Sequence, residues 1–125
     1  MSQFPLPDAW LEHRVSYGET DSMAVLYYAE YLHIFERARN LLIRSRGVSY
    51  NEVEQKGIYL PVRHAECRYR SPVRYDDLLL VRVGISEWGR ASITFTYEAW
   101  NENKTTLHAN GNTQHATVNN QGRPV

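Results

Sequence analysis

A single cysteine, Cys67, is all this chain carries. That excludes an internal disulfide framework and a metal site built on several thiolates. Net charge is also missing, because the 14 basic and 14 acidic side chains cancel. A general electrostatic grip on nucleic acid or an anionic membrane is therefore not expected, and only local patches remain open. No apolar run approaches the roughly 20 residues of a membrane span. The opening segment MSQFPLPDAW has neither a basic n-region nor an apolar h-region, so no secretory signal is expected and the cytoplasm is the expected compartment. There is no G-x-S-x-G elbow, no G-x-G-x-x-G fingerprint and no P-loop. Repeats, linkers and low-complexity tracts are absent too. The 125 residues read as one domain, 1–125, with room for a single core.

What is present falls into two periodicities. Trp10 to Tyr17 alternates as a first strand, after an arm bearing Pro5 and Pro7. Tyr28, Tyr31, Phe35, Ala38 and Leu42 then recur at steps of three and four, the stripe of one long helix from about Tyr28 to Arg46. Gly47 is its expected stop, and Ser49 with Glu52 forms a capping box for a short second helix closed by Gly57. From Ile58 the period is two. Leu60 to Arg70, Leu78 to Glu87, Ala91 to Ala99 and Thr105 to Val118 read as four strands. The second of these is apolar enough for burial on both faces. Trp88-Gly89-Arg90 and Asn101 to Lys104 read as turns, and Gly111 signals a bulge or a close backbone approach. A curled antiparallel sheet wrapped around one helix accommodates this order, an α+β class.

Asp21 stands in the loop Gly18 to Met23, just before the long helix. An acid in that place is most often a loop or capping residue. It is also placed to attack or to activate water, beside N–H groups at the helix start that can polarise an oxyanion. Tyr17 and Glu19 lie close by, and either could orient Asp21. His64 and Glu66 form an H-x-E, but the downstream cysteine pair of a zinc deaminase is missing, so no metal site is expected. Cys67 reads as a packed residue rather than a nucleophile. The run Arg63 to Tyr75 is basic and aromatic, and a few arginines on a sheet edge suit the phosphates of a nucleotide-like carrier.

Several ordered blocks carry a resemblance. They are Tyr17, Glu19, Thr20 and Asp21; Val25, Tyr27, Tyr28, Ala29 and Tyr31; and Phe35, Glu36, Ala38 and Arg39. Leu60-Pro61-Val62, Tyr69-Arg70-Ser71-Pro72, Asp77, Gly89-Arg90 with Ser92, and Gly111 with Val118 follow. From Val15 to Val118 the chain resembles the acyl-CoA thioesterases of the hotdog fold, in particular the 4-hydroxybenzoyl-CoA thioesterase-like group that includes the Tol-Pal-associated thioesterases. The resemblance implies a five-stranded sheet curled around one central helix, and hydrolysis of a short-chain or aromatic acyl-CoA to free acid and coenzyme A. It implies Asp21 as nucleophile or general base and the Tyr28 N–H as oxyanion donor. Tyr17, Glu19, Tyr27, Arg70, Arg90 and Ser92 become candidate substrate-binding residues, the arginines for coenzyme A phosphates. Coenzyme A is then part of the substrate, and no other cofactor is implied. Homodimers that pair into homotetramers, with each site completed by a neighbour, are implied as well.

The chain departs from the group at four places. Met23 and Ala24 stand where glycines are usual, Glu30 where asparagine is common, and Asp76 where a glycine precedes the strand acid. Tyr28 stands where the Tol-Pal-associated branch has histidine. Met23 and Ala24 remove freedom for positive φ, so a differently shaped loop is expected. Two alternatives follow: a hotdog protein that binds acyl-CoA or acyl-carrier protein without turnover, and a hotdog hydratase or dehydratase. The latter uses a histidine paired with an acid, and Gly18 to Glu30 contains none.

Overall fold

The computed structural model describes residues 3–46 and 50–125. The first strand, β1 (Asp8–Arg14), starts two residues earlier and ends three earlier than the alternation suggested. Its end gives way to a 3-10 turn, Tyr17–Glu19. The turn forms because Glu19 reaches back to the Ser16 N–H at 2.7 Å, an S-x-x-E pattern that overrides the alternation. The long helix, α1 (Glu30–Ser45), buries Tyr31, Ile34, Phe35, Ala38, Arg39 and Leu42. It begins later than the stripe implied, so Tyr28 is 59% exposed and stands outside the buried face. The expected stop at Gly47 and the capping box at Ser49 lie outside the described residues. A short helix, α2 (Tyr50–Gln55), follows.

Four strands complete the sheet: β2 (Val62–Tyr69), β3 (Leu78–Gly89), β4 (Ser92–Trp100) and β5 (Leu107–Ala116). Their order is β1-β3-β4-β5-β2, with every pair antiparallel. The sheet and helix thus form the curled α+β arrangement expected from the sequence. β3 runs through Gly89, and Arg90-Ala91 alone makes the tight turn to β4. Leu79, Val81 and Val83 are buried while Leu78, Leu80 and Arg82 are half-covered, so β3 is buried on one face rather than two. Gly111 sits opposite Cys67, where a Cβ would collide with the Glu66 carbonyl. The close approach read from the sequence is therefore a β2 backbone.

Ile93, Phe95, Tyr97 and Ala99 point from β4 at α1, and the Phe35 and Tyr97 rings stack 4.2 Å apart. Removing either ring is expected to cost about 3–5 kcal/mol. A polar chain crosses this core. Arg39 Nη1 donates to the Tyr97 hydroxyl at 3.1 Å, which meets Thr113 Oγ1 at 2.7 Å. Thr113 meets His115 Nε2 at 2.8 Å, and His115 Nδ1 meets the Leu60 carbonyl at 2.9 Å. A carbonyl only accepts, so Nδ1 carries the proton and Nε2 accepts from Thr113. Thr113 then has no second proton and must accept from Tyr97. Every bond in the chain runs one way, from α1 to the segment entering β2.

Candidate active site

The loop after the 3-10 turn is a small hairpin. Thr20 bridges Leu26, and the Asp21 N–H donates to the Val25 carbonyl at 2.9 Å. Ala24 makes the bend by taking φ 64° despite its side chain, and its N–H donates to the Asp21 carbonyl at 2.9 Å. The loop therefore keeps a positive-φ residue at position 24 without glycine. The Leu26 N–H donates to the Val73 carbonyl at 2.7 Å, and Val25 bridges Arg74, which ties the hairpin to the segment before β3.

Asp21 is half-buried at the head of this hairpin. Its Oδ1 accepts from the Met23 N–H at 2.9 Å and, more weakly, from the Val25 N–H at 3.4 Å. Among the described residues Oδ2 has no partner. The chain then enters α1 by a tight turn, with the Glu30 N–H on the Tyr27 carbonyl at 3.0 Å and the Tyr31 N–H on the Tyr28 carbonyl at 3.3 Å. The N–H groups of Tyr28 and Ala29 find no acceptor among the described residues. They are the free donors of a helix start, at the positive end of its dipole.

Aromatic rings wall the helix start. Tyr27 and Tyr28 lie 4.7 Å apart, Tyr28 and Tyr69 6.2 Å, and Tyr31 and Tyr69 5.4 Å. The Tyr69 hydroxyl donates to the Tyr28 carbonyl at 3.2 Å, which fixes β2 against the turn. A hydrogen bond with Tyr28 holds the Tyr27 phenol above its usual pKa, and the charges of Tyr28 and Asp21 add to this. Burial pushes Tyr69 up to about 12 and the Cys67 thiol up to about 11. Cys67 thus stays a protonated, packed thiol, as its place on an alternating strand implied.

Glu19 turns away from Asp21. Its Oε1 accepts from the Ser16 N–H at 2.7 Å, the Ser16 hydroxyl at 2.9 Å and His13 Nε2 at 2.9 Å. Burial alone would raise its pKa, but these bonds outweigh burial and leave it below the usual carboxylate value. Tyr17 packs edge-on against Tyr75 at 5.7 Å, at the outer rim. Arg70 follows Tyr69 and is held by the Asn110 side chain at 2.7 Å, at the same end of the sheet. Arg90 and Ser92 lie at the β3–β4 turn. At about 3.3 Å per residue the length of β3 puts them roughly 35 Å from the Leu78 end. There Ser92 joins Leu42, Ile43, Leu60 and Phe95 in lining an apolar cavity of about 810 Å³.

Six of the eight candidates thus gather at one end of the sheet, and Arg90 and Ser92 do not join them. The sequence reading missed Tyr69, Tyr75, His13 and Arg37 as neighbours of the site. Only Tyr69 had a signal, its alternation with Cys67 on the helix-facing side of β2. Among the described residues no three His, Cys, Asp or Glu side chains converge as a metal site would need, and no helix is long and apolar enough to cross a membrane.

Residues 15–125 match the thioesterase-like superfamily. The acyl-CoA thioester hydrolase YbgC of Escherichia coli O157:H7 is 32% identical over 95 residues, covering 76% of this chain and 71% of that protein. A crystal structure from Aquifex aeolicus superposes with a TM-score of 0.87 at 32% identity, covering 94% of this chain and 90% of that one. The DHNA-CoA thioesterase of Staphylococcus aureus superposes with a TM-score of 0.88 at 28% identity, covering 94% and 79%.

Proposed function

The chain belongs to the thioesterase-like superfamily, and from that premise we propose that it hydrolyses an acyl-CoA thioester to the free acid and coenzyme A through Asp21. One observation carries the reading. A carboxylate with one oxygen that has no partner among the described residues stands on a braced hairpin that leads directly into a helix start with two N–H donors likewise unpaired among them. A thioester carbonyl bound with its oxygen on the Tyr28 N–H would be polarised there. Asp21 Oδ2 then either adds to the carbonyl carbon, giving an anhydride that water cleaves, or takes a proton from the water that adds. In both routes the C–S bond breaks, the thiolate leaves and is protonated, and the acid is released. Water is the only co-reactant, so no cofactor is required.

The tyrosines at positions 27, 28 and 69 offer flat apolar faces, which supports a short or aromatic acyl group. For coenzyme A we propose Arg70 from the same chain, with Tyr17 at the rim. Arg90 and Ser92 belong to the neighbouring subunit's share. β2 is an edge strand with Val62 53% and Tyr69 50% exposed. Antiparallel pairing of two such edges about a two-fold axis sets the Val62 end of one opposite the Tyr69 end of the other. It would carry the partner's β3–β4 turn toward this Asp21. Homodimers, and tetramers built from them, are part of the reading, as is a cytoplasmic location.

The test is thiol release from short, long and aromatic acyl-CoAs by wild type and Asp21→Asn. Loss of roughly 10²–10⁴-fold in kcat is expected for the variant, with substrate binding kept. Turnover retained by Asp21→Asn removes Asp21 from the chemistry. Binding of acyl-CoA without hydrolysis by wild type would make the protein a carrier.

A further inference from the structure

A side-chain relay behind the Asp21 hairpin has no part in the chemistry above. His13, near the end of β1, faces Arg37 Nη1 through Nδ1 at 2.8 Å and Glu19 Oε1 through Nε2 at 2.9 Å. A guanidinium has no lone pair to offer, so Nδ1 must accept and Nε2 must carry the proton that Glu19 receives. The side chains of His13 and Glu19 are only 10% and 16% exposed, so water competes little for these bonds. Glu19 Oε1 also holds the Ser16 N–H and hydroxyl, and the Glu19 carbonyl accepts the Tyr27 N–H at 2.9 Å. Glu19 and Tyr27 are therefore the paired feet of the hairpin that carries Asp21. Arg37 is on α1, the helix whose start offers the free N–H donors.

We propose that His13, Glu19 and Arg37 are positioning residues that register Asp21 against the oxyanion donors of α1. The proposal rests on the Asp21 reading above. One rigid helix supplies both the donors and the far anchor of the relay, so the carboxylate and the donors share one frame. Catalysis by positioning is sensitive to displacement, and a shift of about 1 Å is worth on the order of 10²-fold in rate.

The test compares His13→Leu with His13→Gln in the same thiol-release assay, with melting temperature measured for each. Leucine removes both bonds. Glutamine offers its carbonyl to Arg37 and its amide N–H to Glu19 and so can rebuild the relay. For His13→Leu we expect kcat to fall about 10–100-fold with KM within about threefold. For His13→Gln we expect most of that loss to be recovered. If His13→Leu does not fold, Arg37→Met breaks the relay from the helix side and the same split is expected. Wild-type kcat in the variant that breaks the relay overturns the proposal, as does a glutamine variant as impaired as the leucine one. Asp21→Asn assayed alongside separates the two readings. Its inactivity with a fully active His13→Leu removes the relay alone, whereas an active Asp21→Asn removes both.

Discussion

At Ala24 a side chain occupies a left-handed backbone conformation, φ 64°, that glycine adopts without strain. The cost for a residue with a Cβ is roughly 1–2 kcal/mol, and the extra entropy that glycine loses on folding offsets roughly 0.5–1 kcal/mol of any relief. Ala24→Gly should therefore stabilise the protein by up to about 1.5 kcal/mol. The measurement is the urea midpoint at constant m-value, and a midpoint below that of wild type would show that Ala24 is not strained. The same residue shows what a sequence conveys at this scale. Residue type told that positions 23 and 24 would resist positive φ, but not that the Asp21–Val25 bonds would impose it at 24 regardless. Asp21 itself was legible because its neighbours in sequence, the loop and the helix start, are also its neighbours in space. His13 and Arg37 were not, because 24 positions separate two side chains that meet at 2.8 Å.

At the scale of elements, periodicity located the five strands and the long helix, missed the 3-10 turn at Tyr17–Glu19, and misjudged the ends of the elements and their polar interior. Arg39 sits on a stripe whose other buried members are Tyr31, Ile34, Phe35, Ala38 and Leu42, and His115 shares its face of β5 with Ala109, Gly111 and Thr113, yet both are buried, at 7% and 0% exposure. What admits them is the one-way chain through Tyr97 and Thr113, a satisfaction of donors and acceptors that no single strand reveals. That chain has a consequence in acid. Burial first, and the Arg39 charge in addition, hold the His115 pKa below its ordinary value, against the pull of the Leu60 carbonyl bond. A proton on Nε2 would make the Thr113 hydroxyl accept there and turn its own proton toward Tyr97, whose hydroxyl already accepts from Arg39 and would then have to aim its proton elsewhere. His115 binds its proton more weakly folded than unfolded, so its contribution is intact above the unfolded pKa of about 6.5 and is lost as pH falls below it. Glu19, also held low, acts in the same direction but only in the lower carboxylate range. Urea unfolding of wild type between pH 7 and pH 5 should therefore lose stability with a slope of at most about 1.4 kcal/mol per pH unit from this one group. In His115→Gln, which cannot titrate, that upper window should flatten although the variant is less stable throughout. An equal slope in both proteins would assign the loss elsewhere.

For the whole molecule, the separation of Asp21 from Arg90 and Ser92 by the length of β3 is the fact to be explained. If coenzyme A meets those two residues at all, a second subunit must bring them, and the exposed β2 edge is where antiparallel pairing would do so. Element order alone conveyed the fold but was silent on this, since an edge strand and an interface strand have the same alternation. The reading has a result that no single-chain site can imitate. Asp21→Asn homodimers should be inactive, and Arg90→Ala/Ser92→Ala homodimers should hydrolyse acyl-CoA with a raised KM. When equal amounts are unfolded together and refolded, half the dimers are hybrids under random pairing. In each hybrid one site unites an intact Asp21 with an intact Arg90 and Ser92, while the other collects both defects. About a quarter of all sites should then work with wild-type KM. If each chain instead built its own site, every hybrid would hold one dead site and one site of raised KM, and no low-KM activity would return. Recovery of the low-KM quarter would therefore establish that the catalytic acid and the Arg90 end act across the two-fold axis. Its absence, in a mixture shown by mass to contain hybrids, would confine the site to one chain and release Arg90 and Ser92 from it.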